Sequence, residues 1–546
     1  MNYTLYLQKV SELVASMTPE QKDEWIMGQA VSQAAEARDS FLKSLSGKQD
    51  KEEMDFAQAL KVCEEMESLE IHFSCESYEE YDNYWSDNWT VDYQDTYGTA
   101  KKLDTLLGYI CNAVSHHSYK EAIVIADRIL GMEFFAEDTS GGDVLELVLT
   151  EMFDNELLQF SRQDFLDMYI RGIYFYFTGE EQYRRLMETL NNLLWREYGV
   201  EDILIACALK TEEINSFLDR FITWLGENGG NRAGEILTEA SLLRGGTEKF
   251  TSAALQYGRK YPVLFVSCCE ELIKEEKKES CGRVAQEAVK QLDKKLVYRG
   301  RAAALGALAL EGLEENPGKL WEEAFWSESS LNHLLHLLNC DYEEQEFSAL
   351  LEKERIHIRN IPERSSFYVK SEDQFDVNTL SAHQKVILKF FLTDAAESME
   401  YCSSKKEHLG WSNEPQGVLV PLFLACVTGK RTMTRAMRAA LGRITGRCGF
   451  KDTQEFWDLL VLWREKHFTA DEKECLLWLE KEIIKRTDAV VGGGYRGSYD
   501  KAAELVVVLD EILAEKNMRP RGETRERIRQ MHSRKSAFKK EIVSLL

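Results

Sequence analysis

Apolar positions along this chain recur at spacings of three and four, the mark of helices that bury one face. Two stretches repeat the pattern behind a tyrosine: Ser118-Tyr-Lys-Glu-Ala-Ile-Val-Ile-Ala-Asp-Arg-Ile-Leu130 and Ser498-Tyr-Asp-Lys-Ala-Ala-Glu-Leu-Val-Val-Val-Leu-Asp-Glu-Ile-Leu513. A tyrosine, an alanine three positions on and branched aliphatics one turn further describe a helix packed closely on the preceding one, the unit of helical-hairpin repeats. Arg232 to Arg244, the Gly245-Gly246 break and Thr247 to Tyr261 read as helix, tight turn, helix. Helices joined so briefly lie antiparallel as neighbours, and repeats of this kind bury their apolar faces only by stacking. The expected fold class is all-α: an elongated α-solenoid of antiparallel helical hairpins, tetratricopeptide-like.

The same pattern divides the chain. Residues 1–98 read as an N-terminal helical cap, with Thr18-Pro19-Glu20 as a helix cap and first turn. Within it, 64–97 changes character: eleven Asp/Glu, no Lys/Arg and eight aromatics, read as an acidic, aromatic loop or short-helix insertion. Residues 99–352 form a first helical-hairpin solenoid. A connection follows at 353–380, where periodicity weakens around Ile361-Pro362. Residues 381–546 form a C-terminal helical-hairpin solenoid with a basic end, interrupted at 403–416, Gly446 to Gly449 and Gly492 to Gly497. Strand-like alternation is hard to find anywhere.

Composition agrees with helix. Only seven of 546 residues are proline, about 1% against a usual 5%, and 20–261 and 422–519 contain none. The net charge of −26 opposes non-specific nucleic-acid binding by the whole molecule. Twelve cysteines are scattered, several inside apolar helical text such as Cys207 and Cys426, where a reduced thiol acts as a small apolar residue. That usage points to a reducing, cytoplasmic setting. The N-terminus has no basic stretch followed by a long apolar one, so no signal peptide is expected. The longest nearly apolar run, Gly417 to Val427, is far short of the roughly 18–20 residues a membrane span requires.

Three segments carry a family resemblance: Trp321-Glu-Glu-Ala-Phe-Trp-Ser-Glu-Ser-Ser-Leu331 running into Leu334 to Asn339; His408-Leu-Gly-Trp-Ser412 followed by the apolar helix of 417–427; and Tyr495 to Lys540 with its closing Arg-Lys-Ser-Ala-Phe538 run. Together they resemble the long helical region that accompanies SWIM-type zinc-finger domains in bacterial proteins. The finger itself has a Cys-x-Cys and a Cys-x-His pair, and this chain has neither. Zinc and DNA binding are therefore not carried over. The resemblance implies a tetratricopeptide-like solenoid with a protein-binding concave surface.

Candidate chemistry is sparse. His333, His336 and Cys340 share one helix face and could supply three zinc ligands, or could simply pack on the next helix; no metal or cofactor is expected. Gly492-Gly-Gly-Tyr-Arg-Gly-Ser498 resembles a phosphate cradle but lacks the Gly-Lys-Ser/Thr ending and a preceding strand. It reads instead as a turn that starts a helix at Tyr499, with Ser498 as N-cap. Two basic stretches stand out: seven Lys/Arg and no acid from Gly429 to Lys451, and ten Lys/Arg against two Glu from Lys516 to Lys540, a local charge of +8. Arg525, Arg529, Arg534 and Lys535 could form a phosphate-contacting ridge or could neutralise acidic parts of the fold. Trp85 and Trp89 in the acidic insertion could contact a cationic partner or tuck onto the fold.

No nucleophile, base and acid set stands out among the ten histidines. The expected function is a non-enzymatic protein–protein interaction scaffold that binds a partner protein or extended peptide in a solenoid groove. The alternatives are a nucleic-acid-associated protein using the basic C-terminal helices, or an enzyme with an interhelical pocket.

Overall fold

The computed structural model describes residues 9–10, 13–32, 54–83, 86–230, 232–311, 313, 316–364, 378–405 and 407–546. The chain forms two compact units, Met1–Ala253 and Ala254–Leu546. Helices dominate both, and strands occur among the described residues only as a small sheet in the first unit and an isolated bridge in the second. No helix among the described residues is long and apolar enough to cross a membrane.

Local signals place many of the helix ends. Thr18 caps the Pro19–Ser32 helix reciprocally: its Oγ1 accepts from the Gln21 amide at 3.3 Å, and its own amide donates to Gln21 Oε1 at 2.9 Å. The two-glycine break interrupts the helical run from Ala233 to Tyr257, with Gly246 at φ +61°, where a side chain would be strained. The Tyr119–Gly131 helix follows Thr99–Ser115 across a tight turn in which His117 adopts φ +62° and Ser118 N–H donates to Ala113 O at 2.8 Å. These two helices pack on each other, as the tyrosine-led pattern requires.

The acidic aromatic insertion is not a loop or a set of short helices. Its main part is a β-hairpin, β1 (Phe73–Asn83) and β2 (Ser86–Gln94), paired antiparallel. β3 (Phe135–Asp138) joins β1 in parallel and β4 (Val144–Glu146) joins β3 antiparallel, giving the order β2-β1-β3-β4. The Thr99–Gly131 helical pair is thus the crossover that returns the chain to the free edge of β1. The physical reason is side-chain type: 73–94 is rich in aromatic residues, carries the β-branched pair Thr90-Val91, and lacks Leu, Ala, Lys and Arg. Its acids conceal the alternation without preventing it. The root of the hairpin is core, with Phe73 and Cys75 buried.

In the second unit, the helices Val263–Lys274, Lys278–Gln291, Val297–Leu310, Gly318–Ser327 and Leu331–Asn339 each pack on their neighbours in sequence. Close approach is enforced by small residues. A Cβ on Gly306 would lie 2.2 Å from the Ala285 methyl, and one on Gly300 2.9 Å from the Ala324 carbonyl oxygen. The Glu344–Asn360 helix occupies the first part of the stretch expected as a connection. Beyond it the chain is pinned by Leu380, whose amide donates to Pro362 O at 3.2 Å.

The region from 381 onward departs from a plain succession of hairpins. Gln416–Val427 is buried at every position except Gly417, and Tyr499–Glu515 is buried around most of its circumference. The latter packs on Gln416–Val427, Arg435–Thr445, Glu472–Thr487, Glu523–Met531 and Ser536–Ser544, segments drawn from both sides of it in sequence. A helix with large aliphatics on nearly every side must be covered on nearly every side, so its neighbours wrap it as a bundle. Charged side chains close the ends of these buried helices. Arg464, buried and lying 5.2 Å over the Trp457 ring, donates to Ala425 O at 2.7 Å at the carbonyl end of Gln416–Val427. Asp510, also buried, accepts from the amides of Gly522 and Thr524 at 2.9 and 3.1 Å, where the Glu523–Met531 helix begins.

One buried carboxyl gives this unit a pH signature. Glu354 is 0% exposed and accepts from Trp326 Nε1 at 2.9 Å; burial pushes its carboxyl up to about 7. His357, one turn on and stacked on Trp326 at 4.9 Å, is pushed down by burial to about 4. The raised Glu354 contributes stability at low pH that is lost as pH rises from its unfolded value through 7. The depressed His357 contributes in the opposite sense, its stability being lost as pH falls from 6.5 through 4. Glu354→Gln isolates the first. Chemical denaturation at pH 5 and pH 8 should show the variant gaining on the parent chain by on the order of 2–3 kcal/mol across that interval.

Candidate anion-binding pocket

The structure separates the residues that the sequence marks as candidates. Trp85 lies outside the described residues, and Trp89 sits on β2 opposite Glu79 of β1. Arg525 faces the buried carboxylate of Asp510 at 3.8 Å, and Arg529 pairs with Glu526 at 3.0 Å one turn back on its own helix. Arg534 is exposed and Lys535 half-buried. Around them Lys516 pairs with Glu472 at 2.6 Å, and Arg519 and Arg527 both close on Glu480. Much of the basic C-terminal stretch therefore answers acids of its own fold.

His333, His336 and Cys340 do share a helix face, yet each is turned to a separate partner. His333 Nδ1 lies 2.9 Å from Glu328 O, His336 stacks on Trp321 at 4.1 Å with its Nδ1 3.2 Å from Glu311, and the Cys340 thiol donates to His336 O at 3.4 Å. Among the described residues no group of three or more potential ligands is placed to hold a metal ion. Ser498 stands at the N-cap of Tyr499–Glu515 without capping it through its hydroxyl. The incoming 3₁₀ turn, Arg496–Ser498, leaves its backbone at ψ 12° rather than extended, which carries the hydroxyl away from the first-turn amides. Ser329 and His357 approach to 3.1 Å, but Ser329 Oγ donates its proton to Phe325 O at 2.7 Å. The hydroxyl is tied to its own helix rather than poised as a nucleophile.

A different set of residues converges within the second unit. Four helices and one loop surround a cavity of about 290 Å³. Pro421 from Gln416–Val427, Ala440 and Ile444 from Arg435–Thr445, and Leu505 from Tyr499–Glu515 give it an apolar floor. Its polar rim is cationic: Arg443, Arg447, Arg486 and Lys501 against the single carboxylate of Glu504. Trp411 and Ser412, from the loop before Gln416, close one side.

The charges are unevenly matched. Arg443 is clamped by Glu504, at 2.6 and 2.7 Å, and by Asp500 at 2.6 Å, which holds its guanidinium above the usual arginine range. Arg486 has no such partner among the described residues. It is 5% exposed, lies 5.3 Å over the Trp411 ring and donates to the backbone oxygen of His408; burial alone holds it below the usual range. Arg447 donates to Glu414 O at 3.2 Å and Lys501 to Ser412 Oγ at 3.1 Å, and neither makes an ion pair among the described residues. Trp411 is 4% exposed, and its indole N–H finds no acceptor among the described residues. The Trp411 N–H is itself sealed from the cavity; what the lining offers a ligand is the charge of Arg447, Arg486 and Lys501, which has no carboxylate partner among the described residues and which an anion would answer.

Compared with protein-family models, curated proteins and solved structures, the chain matches none. None of these comparisons points to SWIM-type proteins. Trp411 and Ser412, from the segment His408 to Ser412 quoted above, line this pocket. Arg443 and Arg447 fall in the acid-free stretch from Gly429 to Lys451, so half of the cationic rim carried a signal in the sequence. Arg486 and Lys501 carried none, because they sit in ordinary charged helical text and only the fold brings them to the cavity.

Gly417 holds the Trp411 loop in place. A Cβ there would fall 1.9 Å from Trp411 O, a backbone atom with no room to yield. Gly417→Ala should therefore push the loop outward and lower stability by about 1–3 kcal/mol, read as a drop in the denaturation midpoint.

Proposed function

We propose that the chain is a non-enzymatic interaction scaffold that holds a partner protein or extended peptide, and that an anionic group of the partner seats in the Trp411–Arg486 pocket. The observation that carries this reading is Arg486, a buried guanidinium on the pocket lining that donates to the backbone oxygen of His408 and has no ion-pair partner among the described residues. A buried cation without a counter-charge is unfavourable unless an anion completes the site. Arginine suits that task because its planar fork matches carboxylate and phosphate oxygens.

The sequence-adjacent packing of helices from Val263 to Asn339 supports a tetratricopeptide-like solenoid in that stretch, a form that presents long continuous surfaces to ligands. The pairing of Arg519, Arg525, Arg527 and Arg529 with acids of the same fold favours a protein partner over the phosphodiester backbone of a nucleic acid. Twelve free cysteines, most of them buried, favour a reducing, cytoplasmic setting.

Sulfate is a simple probe of the pocket. At constant ionic strength, replacing chloride by sulfate should raise the melting temperature of the chain by a few degrees through preferential binding to the folded state. The double variant Arg447→Gln, Lys501→Gln should lose most of that rise. Equal melting temperatures in sulfate and chloride for the parent chain would overturn the reading.

A further inference from the structure

The pocket combines two features that together narrow its ligand. Three cations on its rim, Arg447, Arg486 and Lys501, face the cavity without an ion-pair partner among the described residues, whereas Arg443 is already neutralised by Glu504 and Asp500. Opposite them lie Pro421, Ala440, Ile444 and Leu505 with the Trp411 indole. A monoanion would leave excess positive charge in partly apolar surroundings. A bare inorganic anion would leave the apolar floor uncovered. At about 290 Å³ the cavity is at the small end of the range for ligand sites.

Resting on the anion reading above, we infer that the pocket recognises a phosphomonoester carried on an apolar or aromatic body. The dianion meets Arg447, Arg486 and Lys501, and the organic part lies against Trp411, Ile444 and Leu505. Phosphate offers three terminal oxygens with close to two charges at neutral pH, enough to accept from both guanidinia and the ammonium. A carboxylate offers two oxygens and one charge. Arg443 stays outside this set, and its bonds to Glu504 and Asp500 fix the orientation of the Tyr499–Glu515 helix that presents Lys501.

Isothermal titration of the full chain with phenyl phosphate, benzoate and inorganic phosphate tests the inference. Phenyl phosphate should bind at least tenfold more tightly than either of the others. Arg447→Gln and Lys501→Gln, both at the rim, should each weaken it by roughly tenfold, the scale of one charge-assisted hydrogen bond. Arg486→Met should weaken it more; because that residue is buried, the two rim variants decide the matter if this one does not fold. Arg534→Gln, on the exposed end of the basic stretch, should leave binding unchanged.

A tyrosine-phosphorylated peptide distinguishes the two sources of this chemistry. Tighter binding than phenyl phosphate, lost on dephosphorylation, assigns the site to a modified partner polypeptide; binding no tighter than phenyl phosphate assigns it to a free phosphomonoester. Benzoate binding as well as phenyl phosphate would overturn the phosphoryl assignment while leaving an anion pocket. Failure of phenyl phosphate to bind a chain that sulfate does stabilise would overturn it equally. Only the absence of any sulfate effect would remove the anion reading itself.

Discussion

Two helices buried around most or all of their circumference govern the second unit. Gln416–Val427 and Tyr499–Glu515 cannot present a side to water without exposing several large aliphatics, each costing about 1.5–3 kcal/mol. Their neighbours must therefore come from wherever in the chain a suitable apolar stripe exists. This is why Arg435–Thr445, Glu472–Thr487 and the last two helices gather around one axis instead of stacking in order of sequence.

The pocket is a by-product of that gathering. Where helices of different origin converge on a common core, their ends and polar edges meet at the surface. Here the meeting places arginines from two helices and a lysine from a third around a gap that Trp411 partly covers. Gly417 permits the covering loop to approach the buried helix closely, and Pro421, which lacks an N–H, sits one turn further along. The pocket and the hydrophobic core share Leu505 and Ile444, so the core fixes the geometry of the pocket.

Much of the helical framework was legible in the sequence because its signals are local. The Thr18 cap, the Gly245-Gly246 break, the tyrosine-led helix starts and the turn at Gly446 to Gly449 each depend on a few adjacent residues. What was not legible depends on distance. The strands at 73–94 were hidden because their acids broke the apolar count, while seven aromatic side chains set the backbone preference. The surroundings of Tyr499 were hidden because a helix pattern states which face is apolar, not which segments cover it. Arg486 was hidden because a buried charge and a solvated one are the same letter.

The buried caps have a mechanical corollary. Arg464 holds the carbonyl end of Gln416–Val427, Glu515 accepts from the Gly429 amide just beyond, and Asp510 holds the start of Glu523–Met531. The first two tie together segments far apart along the polypeptide and the third ties one helix to the next, so swinging out either end held by Arg464 or Asp510 would strand a buried charge among hydrocarbons. Fraying is suppressed in favour of a single concerted release, which keeps the rim around Trp411 stiff until the whole assembly lets go.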